Sequence, residues 1–463
     1  MQTKRILITP AGTETGLEIY KSLRHRDDIE LFAADTDPEN PLFPLLGPQK
    51  SMVVPSLGHE DFWSVLEQIV DRYHIDYIYP THDWFLPACA DKGQGSNPYG
   101  VKYLVSSVSA VRRTSDKRLC YQTFPHLSPR IYEYMWDITG ESFPLFIKPN
   151  NGRGSIGAFK VETPAELDFY SHRINDAIIA EYLPGPEYTV DCISNKDGIL
   201  LQCCARRRDN IKRGISHIAT IIDHPYLSTV ARQISSAIKP VGGWFFQMKE
   251  SRLGTPKLLE VNLRVSGTMC LTRTAGLNIP LLTVLQAADE QVGYVPPPIT
   301  GLTVTRHLTE EYIWPQLANV RCIVWDLDGT IWKSHLEGPN QEPILKENVL
   351  SLMRKLHERK YLQVICSRNP YLSTLTPVDQ KNILAQWLPV DIFSEIRINF
   401  TEFKGKVIKE MLMHLGCNKL QTLFIDDSFN EREDVRLENP GILVADASIC
   451  ADLDHIERAT CSQ

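Results

Sequence analysis

No stretch of this 463-residue chain approaches the roughly 18 consecutive apolar residues of a membrane span, and residues 1–8 lack the long apolar core of a secretory signal. A cytoplasmic protein with no membrane partner is therefore expected. The eleven cysteines include the adjacent Cys203-Cys204 but no CxxC pair, which argues against a zinc knuckle and a disulfide framework. A formal charge of −7 is small for this length and is not gathered into blocks, so no nucleic-acid partner is expected. Internal repeats and low-complexity segments are absent. The glycines near residue 12 fall short of GxGxxG, and those near residue 152 do not follow GxxxxGK[ST], which removes two common phosphate-loop patterns.

What is present is an ordinary globular balance, with 43% apolar and 23% charged residues, in a chain long enough for about three compact units. Residues 4–10 read as a buried strand. A small-residue turn at Ala11-Gly12-Thr13, a helix over 16–23 and a second strand over 31–34 ending at Asp35 follow. This pattern predicts a doubly wound α/β unit, assigned to residues 1–110. A third strand, Tyr77–Pro80, runs into Thr81-His82-Asp83, at the edge where parallel sheets present ligand contacts; Asp83 equally suits a helix cap beside a surface histidine. Residues 111–316 mix short strands, glycine loops and helices, an α+β pattern. Val295-Pro296-Pro297-Pro298 interrupts it, yet strand-like residues resume at 302–304, which moves the boundary to 314–319. A further α/β unit, residues 319–463, opens with a strand running into Asp326.

Two segments carry the chemistry. In the first, Lys148 ends a strand and leads into Gly152-Arg153-Gly154-Ser155-Ile156-Gly157. Glycines let backbone N–H groups approach a phosphate chain, and the lysine adds charge. Further on, alternation along Leu259-Glu260-Val261-Asn262-Leu263-Arg264 puts Glu260, Asn262 and Arg264 on one strand face. Two oxygen ligands and a guanidinium suit Mg²⁺ held with a triphosphate.

With Ile179-Ala180-Glu181-Tyr182-Leu183 and Glu187 between them, these motifs resemble the ATP-grasp superfamily, especially carboxylate–amine ligases related to carbamoyl phosphate synthase and biotin carboxylase, over roughly residues 1–315. The resemblance implies a pre-ATP-grasp domain followed by an ATP-grasp fold. It makes Lys117 and Lys148 phosphate-binding lysines, and Gly152, Gly154 and Ser155 part of a glycine lid. Glu181 and Leu183 fall in the adenine-reading hinge, and Glu187 at the ribose. Gln247, Glu260 and Asn262 take the metal positions, and Arg264 the place beside the γ-phosphate. The implied cofactors are ATP and Mg²⁺, with Mn²⁺ as a substitute. The implied chemistry is attack of a carboxylate on the γ-phosphate, giving an acyl phosphate that an amine then displaces. Arg206-Arg207-Arg208 is expected as a basic loop, and Arg213 and Arg273 as anion-binding candidates.

In the second segment an apolar strand discharges Asp326 and Asp328 into the turn Asp326-Leu327-Asp328-Gly329-Thr330, a pair suited to nucleophile and general acid. Ser367, Lys404 and Asp426-Asp427 complete an order that resembles the haloacid dehalogenase superfamily, implying a Rossmannoid phosphatase-like domain. That resemblance makes Ser367 the phosphate donor and Lys404, rather than Lys406, the charge neutraliser. Asp326, Asp328 and Asp426 become metal positions, with Asp427 supporting them. Trp332, Arg368-Asn369 and the run from Asp426 to Glu433 narrow it to the subclass that moves glyceryl groups from bisphosphoglycerate to carrier proteins.

A bifunctional enzyme is thus expected: an ADP-forming ligase for a small carboxylate and an amine, joined to a Mg²⁺-dependent phosphatase domain. Two alternatives stand beside it, an acyl transferase using a carrier protein and a thioester at Cys366, and an ATP-binding sensor without turnover. The acid, the amine and the oligomeric state, a homo-oligomer included, are left open by the sequence.

Overall fold

The computed structural model describes residues 3–95, 99–133, 137–152, 156–212, 214–307, 319–339 and 341–451. Gly154, Ser155, Arg213 and most of the expected boundary at 314–319 lie outside the described residues. The chain divides into two compact units, one from residues 1–46 and 50–310, the other from 311–463 with the turn 47–49.

The first unit begins with a parallel five-stranded sheet in the order Ser51–Val53, Ile29–Asp35, Lys4–Thr9, Tyr77–Pro80, Lys102–Tyr103. Its central strand is an almost fully buried apolar run, as a parallel strand covered on both faces should be. The first crossover is the helix Glu14–Leu23, started by Thr13, whose hydroxyl accepts from Gly16 N at 2.9 Å.

A small antiparallel sheet follows, ordered Ile131–Tyr132, Ala177–Glu181, Leu145–Pro149, Phe159–Val161. The third sheet is antiparallel and six-stranded: Pro256–Asn262, Gly242–Glu250, Glu187–Ser194, Leu200–Lys212, Ile215–Ile221 and Thr303–Thr305. The strand after the triple proline thus returns to this sheet's edge. Ile6, Ile8 and Ile19 share one apolar core with Ile193, Ala219 and Val265, so the parallel sheet and the six-stranded sheet are packed as one body.

The second unit holds a parallel five-stranded sheet in the order Glu395–Ile398, Leu362–Ser367, Cys322–Trp325, Thr422–Asp426, Leu443–Asp446. Period-two alternation sorts its central strands between two cores. Ile323, Trp325 and Ile365 face one, with Met353 and Leu356; Cys322, Val324, Val364 and Cys366 face the other, with Val407 and Met411. Ser367 and Asp426 end their strands and Asp326 directly follows its own, all at the carboxyl edge where open α/β sheets collect ligand contacts.

No helix among the described residues is long and apolar enough to cross a membrane.

Candidate functional sites

In the first unit the antiparallel register sets Gln247 directly opposite Glu260 and Phe245 opposite Asn262. Asn262 Nδ2 donates to Glu260 Oε1 at 2.9 Å, leaving the amide oxygen of Asn262 as a further ligand atom. The pairing brings together three oxygen-bearing side chains from two strands, a donor set that fits Mg²⁺ once Gln247 Oε1 gives up the bond it accepts from Arg208 Nη1 at 3.1 Å.

Both lysines come to the same place from other elements. Lys117 starts the helix Lys117–Thr123, and its Nζ donates to the carbonyls of Asn150 and Gly152 at 3.2 and 2.5 Å. Lys148 Nζ donates to Tyr121 Oη at 2.7 Å, and Tyr121 donates to the Leu259 carbonyl at 2.8 Å, tying the lysine to the Glu260 strand. Burial, helped by the charge of Lys117, pushes Lys148 down to about 8, with Glu260 pulling the other way.

Two cavities adjoin here. A smaller one of about 180 Å³ is lined by Lys148, Glu181, Leu183 and Glu187, and a larger one of about 500 Å³ by Asp83, Asn262 and Arg264; Lys117, Gly152, Gln247 and Glu260 line both. The Glu181 carboxylate is committed, accepting from Arg130 N at 2.9 Å. Glu187 is paired with Arg208 and, at 3.5 Å, with Lys249.

Arg264 is more constrained than a free phosphate-binding arginine. Its Nε and Nη2 each donate to Asp83 at 2.7 Å, and Nη1 reaches Thr15 Oγ1 at 3.2 Å. Burial works against the charge on Asp83, but Arg264 beside it holds the carboxyl below its ordinary range. Asp83 therefore lines the larger cavity as half of an ion pair; the helix after it has Phe85, not Asp83, at its cap position, and no side chain caps it.

Arg206, Arg207 and Arg208, expected as a loop, lie on the strand Leu200–Lys212, where alternation separates them. Arg206 and Arg208 are buried, whereas Arg207 points out and pairs with Asp209. Arg206 and Arg208 line the larger cavity, whereas Arg273 packs its short helix on Glu14–Leu23, donating to Ser22 Oγ at 2.8 Å and Glu18 at 3.3 Å.

The second unit gathers an acidic centre. Carboxylate oxygens of Asp326, Asp426 and Asp427 all lie within 4.8 Å of one another, a donor set suited to Mg²⁺. Lys404 Nζ bridges Asp326 at 2.6 Å and Asp426 at 2.5 Å, whereas Lys406 is exposed and paired with Glu402. Burial holds Asp326 above the ordinary carboxylate range despite Lys404. Gly329 is required where it stands: it has φ +70°, and a Cβ there would sit 2.1 Å from Asp427 Oδ2. The hydroxyls of Ser367 and Thr330 are buried without a partner among the described residues.

The Asp328 side chain is not one of the three clustered carboxylates; its oxygens accept from Trp332 Nε1 (2.8 Å), Leu336 N (3.1 Å) and Asn369 Nδ2 (2.8 Å). Cys366 is unsuited to a thioester. Its side chain packs among Val324, Val364 and Val407, and burial pushes the thiol up to about 12.

Residues 173–310 match the family model described as ATP-grasp in the biosynthetic pathway with Ter operon. No curated protein sequence matches the chain. Among solved structures, the biotin carboxylase of Campylobacter jejuni in complex with β,γ-ATP aligns with a TM-score of 0.50 and 17% identity, over 63% of this chain and 72% of that one. The biotin carboxylase domain of Hydrogenobacter thermophilus 2-oxoglutarate carboxylase, solved with MgADP, ADP and bicarbonate, aligns with a TM-score of 0.51 and 16% identity, over 64% and 71%. These identities establish likeness of fold. The first unit thus carries an ATP-grasp domain.

Proposed function

We propose that the first unit is an ADP-forming ligase that activates a small carboxylic acid with ATP and passes the acyl group to an amine. The observation that carries this is the register that sets Gln247 against Glu260, with Asn262 two residues on, beside a cavity that also receives Lys117. Lys117 and Lys148 face the negative charge of the triphosphate, and Glu187 suits the ribose. Mg²⁺ bound by Gln247, Glu260 and Asn262 would offset repulsion between carboxylate and triphosphate. The carboxylate oxygen attacks the γ-phosphorus and ADP leaves; the amine then attacks the acyl carbon and phosphate leaves. Arg264, already oriented by Asp83, would meet charge developing at the γ-phosphate with little reorganisation. The test is incubation with ATP, Mg²⁺ and pooled carboxylates and amines. ADP and a new ligated mass are expected; ATP binding without ADP across the pool would favour the sensor alternative.

We further propose that the second unit performs Mg²⁺-dependent phosphoryl transfer. Asp326 is the nucleophile, Lys404 and the hydroxyls of Ser367 and Thr330 receive the phosphoryl oxygens, and Asp328, held by Trp332 and Asn369, handles the leaving-group proton. The convergence of Asp326, Asp426 and Asp427 supports this function. A phosphorylated substrate or product of the ligase is the natural candidate for it.

Lys148 supplies a pH test. Free, it titrates near 8 rather than at the ordinary 10.5, and a triphosphate beside it favours the charged form. ATP binding in that window should therefore take up close to one proton, with affinity falling as pH rises. Titration calorimetry in buffers of different ionisation enthalpy should show the uptake, and Lys148→Met should remove it.

A further inference from the structure

Among the described residues three arginines, Arg206, Arg208 and Arg264, line the larger cavity, and their donors are committed to different degrees. Arg264 gives Nε and Nη2 to Asp83 and Nη1 to Thr15 and the Val265 carbonyl. Arg208 gives Nε to Ser216, Nη1 to Glu187 and Gln247, and Nη2 to the Gly214 carbonyl. Arg206 differs. Its Nε and Nη2 donate to Asp191 at 2.8 and 3.1 Å and Nη2 also to Ser266 at 2.9 Å, but Nη1 is buried with no acceptor among the described residues.

Asp191 in turn accepts from Ser266 at 2.7 Å and Thr272 at 2.5 Å, so the guanidinium, 1% exposed, is clamped on one side before any ligand arrives. A buried N–H edge without an acceptor is unfavourable, and an oxyanion reaching it from the cavity that Arg206 lines would relieve it with a charge-assisted bond. Ser266, which braces Arg206, lies two residues after Arg264, and all three residues line the same cavity.

We propose that Arg206 holds a second oxyanion group of the substrate, so that the acid activated in this cleft is a dianion, a dicarboxylate or a phosphorylated carboxylate. The inference rests on the ligase function proposed above and adds a substrate class to it. Arg206 acts here as a specificity determinant.

The test uses three probes of matched length, butyrate, succinate and 3-phosphonopropionate, titrated calorimetrically into the full chain loaded with MgADP. Wild type should bind one or both dianions about tenfold or more tighter than butyrate. Asp191→Asn/Arg206→Gln, which removes both buried charges together, should shrink that preference to about twofold or less while ATP affinity is retained, showing an intact cleft. Preference for succinate alone assigns a dicarboxylate, and for the phosphonate alone a phosphorylated acid. Equal binding of the three by wild type, or an undiminished preference in the double variant, overturns the proposal. ADP formation with the same probes separates the two levels: a dianion preference in binding without any ADP leaves the Arg206 site standing and removes the ligase function.

Discussion

Glu260→Ala should lower carboxylate-dependent ADP formation by about a thousandfold or more, equivalent to about 4 kcal/mol of transition-state stabilisation. Glu260 is the one carboxylate in a donor set otherwise made of the amides Gln247 and Asn262, so its loss removes the only formal negative charge among the three. It also leaves Asn262 Nδ2 without its acceptor at 2.9 Å, freeing that amide to turn away. The strand itself should survive. Its pairing with Gly242–Glu250 and the bond from Tyr121 to the Leu259 carbonyl use backbone atoms that alanine retains. ATP binding should weaken far less than turnover falls, because Lys117 and Lys148 remain. Steady-state ADP release and equilibrium ATP binding, measured on the same sample, separate the two; full retained turnover would remove Glu260 from the metal site.

Asp326→Asn should abolish phosphate release from a phosphorylated substrate while leaving carboxylate-dependent ADP formation in place. Its effect on folding should be smaller than that of Lys404→Met. In Asp326→Asn, Lys404 keeps Asp426 at 2.5 Å, and one buried charge disappears from a centre in which carboxylates outnumber the ammonium. In Lys404→Met the carboxylates stay and their cation goes, and breaking a buried pair from one side typically costs about 3–5 kcal/mol. Added Mg²⁺ should restore part of that loss, since it binds where the missing charge was. Calorimetric unfolding of both variants, with and without Mg²⁺, checks the order; a Lys404→Met protein as stable as Asp326→Asn in the absence of Mg²⁺ would contradict it.

The first site was partly legible because strand alternation is a local property. Glu260, Asn262 and Arg264 could be placed on one face from spacing alone, whereas Gln247 needed the hairpin register, which bulges between Gln247 and Met248. Partners far apart in sequence left no such signal. Nothing in the chain links Asp83 to Arg264, 181 residues away, or Tyr121 to Lys148, yet these contacts fix both cations. The arginine triplet looked like a solvated loop because a charge run usually is one. It is a strand whose buried members are neutralised by Asp191 and Glu187 from the neighbouring strand, a pairing visible only once the register is known. In the second unit the acidic motif is read off the sequence easily, but the fate of Asp328 is not. Trp332 lies within the same turn region, while Asn369 comes from the far side of a crossover and completes the set of donors that holds the Asp328 carboxylate.

The measurement that reaches the central claim most directly follows the oxygen atoms. Using Asp326→Asn, so that the second unit contributes no phosphate, the chain is supplied with ATP, Mg²⁺, amines and carboxylic acids labelled with ¹⁸O in the carboxyl group. Ligation through an acyl phosphate transfers one labelled oxygen to the inorganic phosphate released with ADP. Phosphate carrying that label, formed together with a ligated product, is the predicted result. Unlabelled phosphate, or AMP and pyrophosphate in place of ADP, would contradict it.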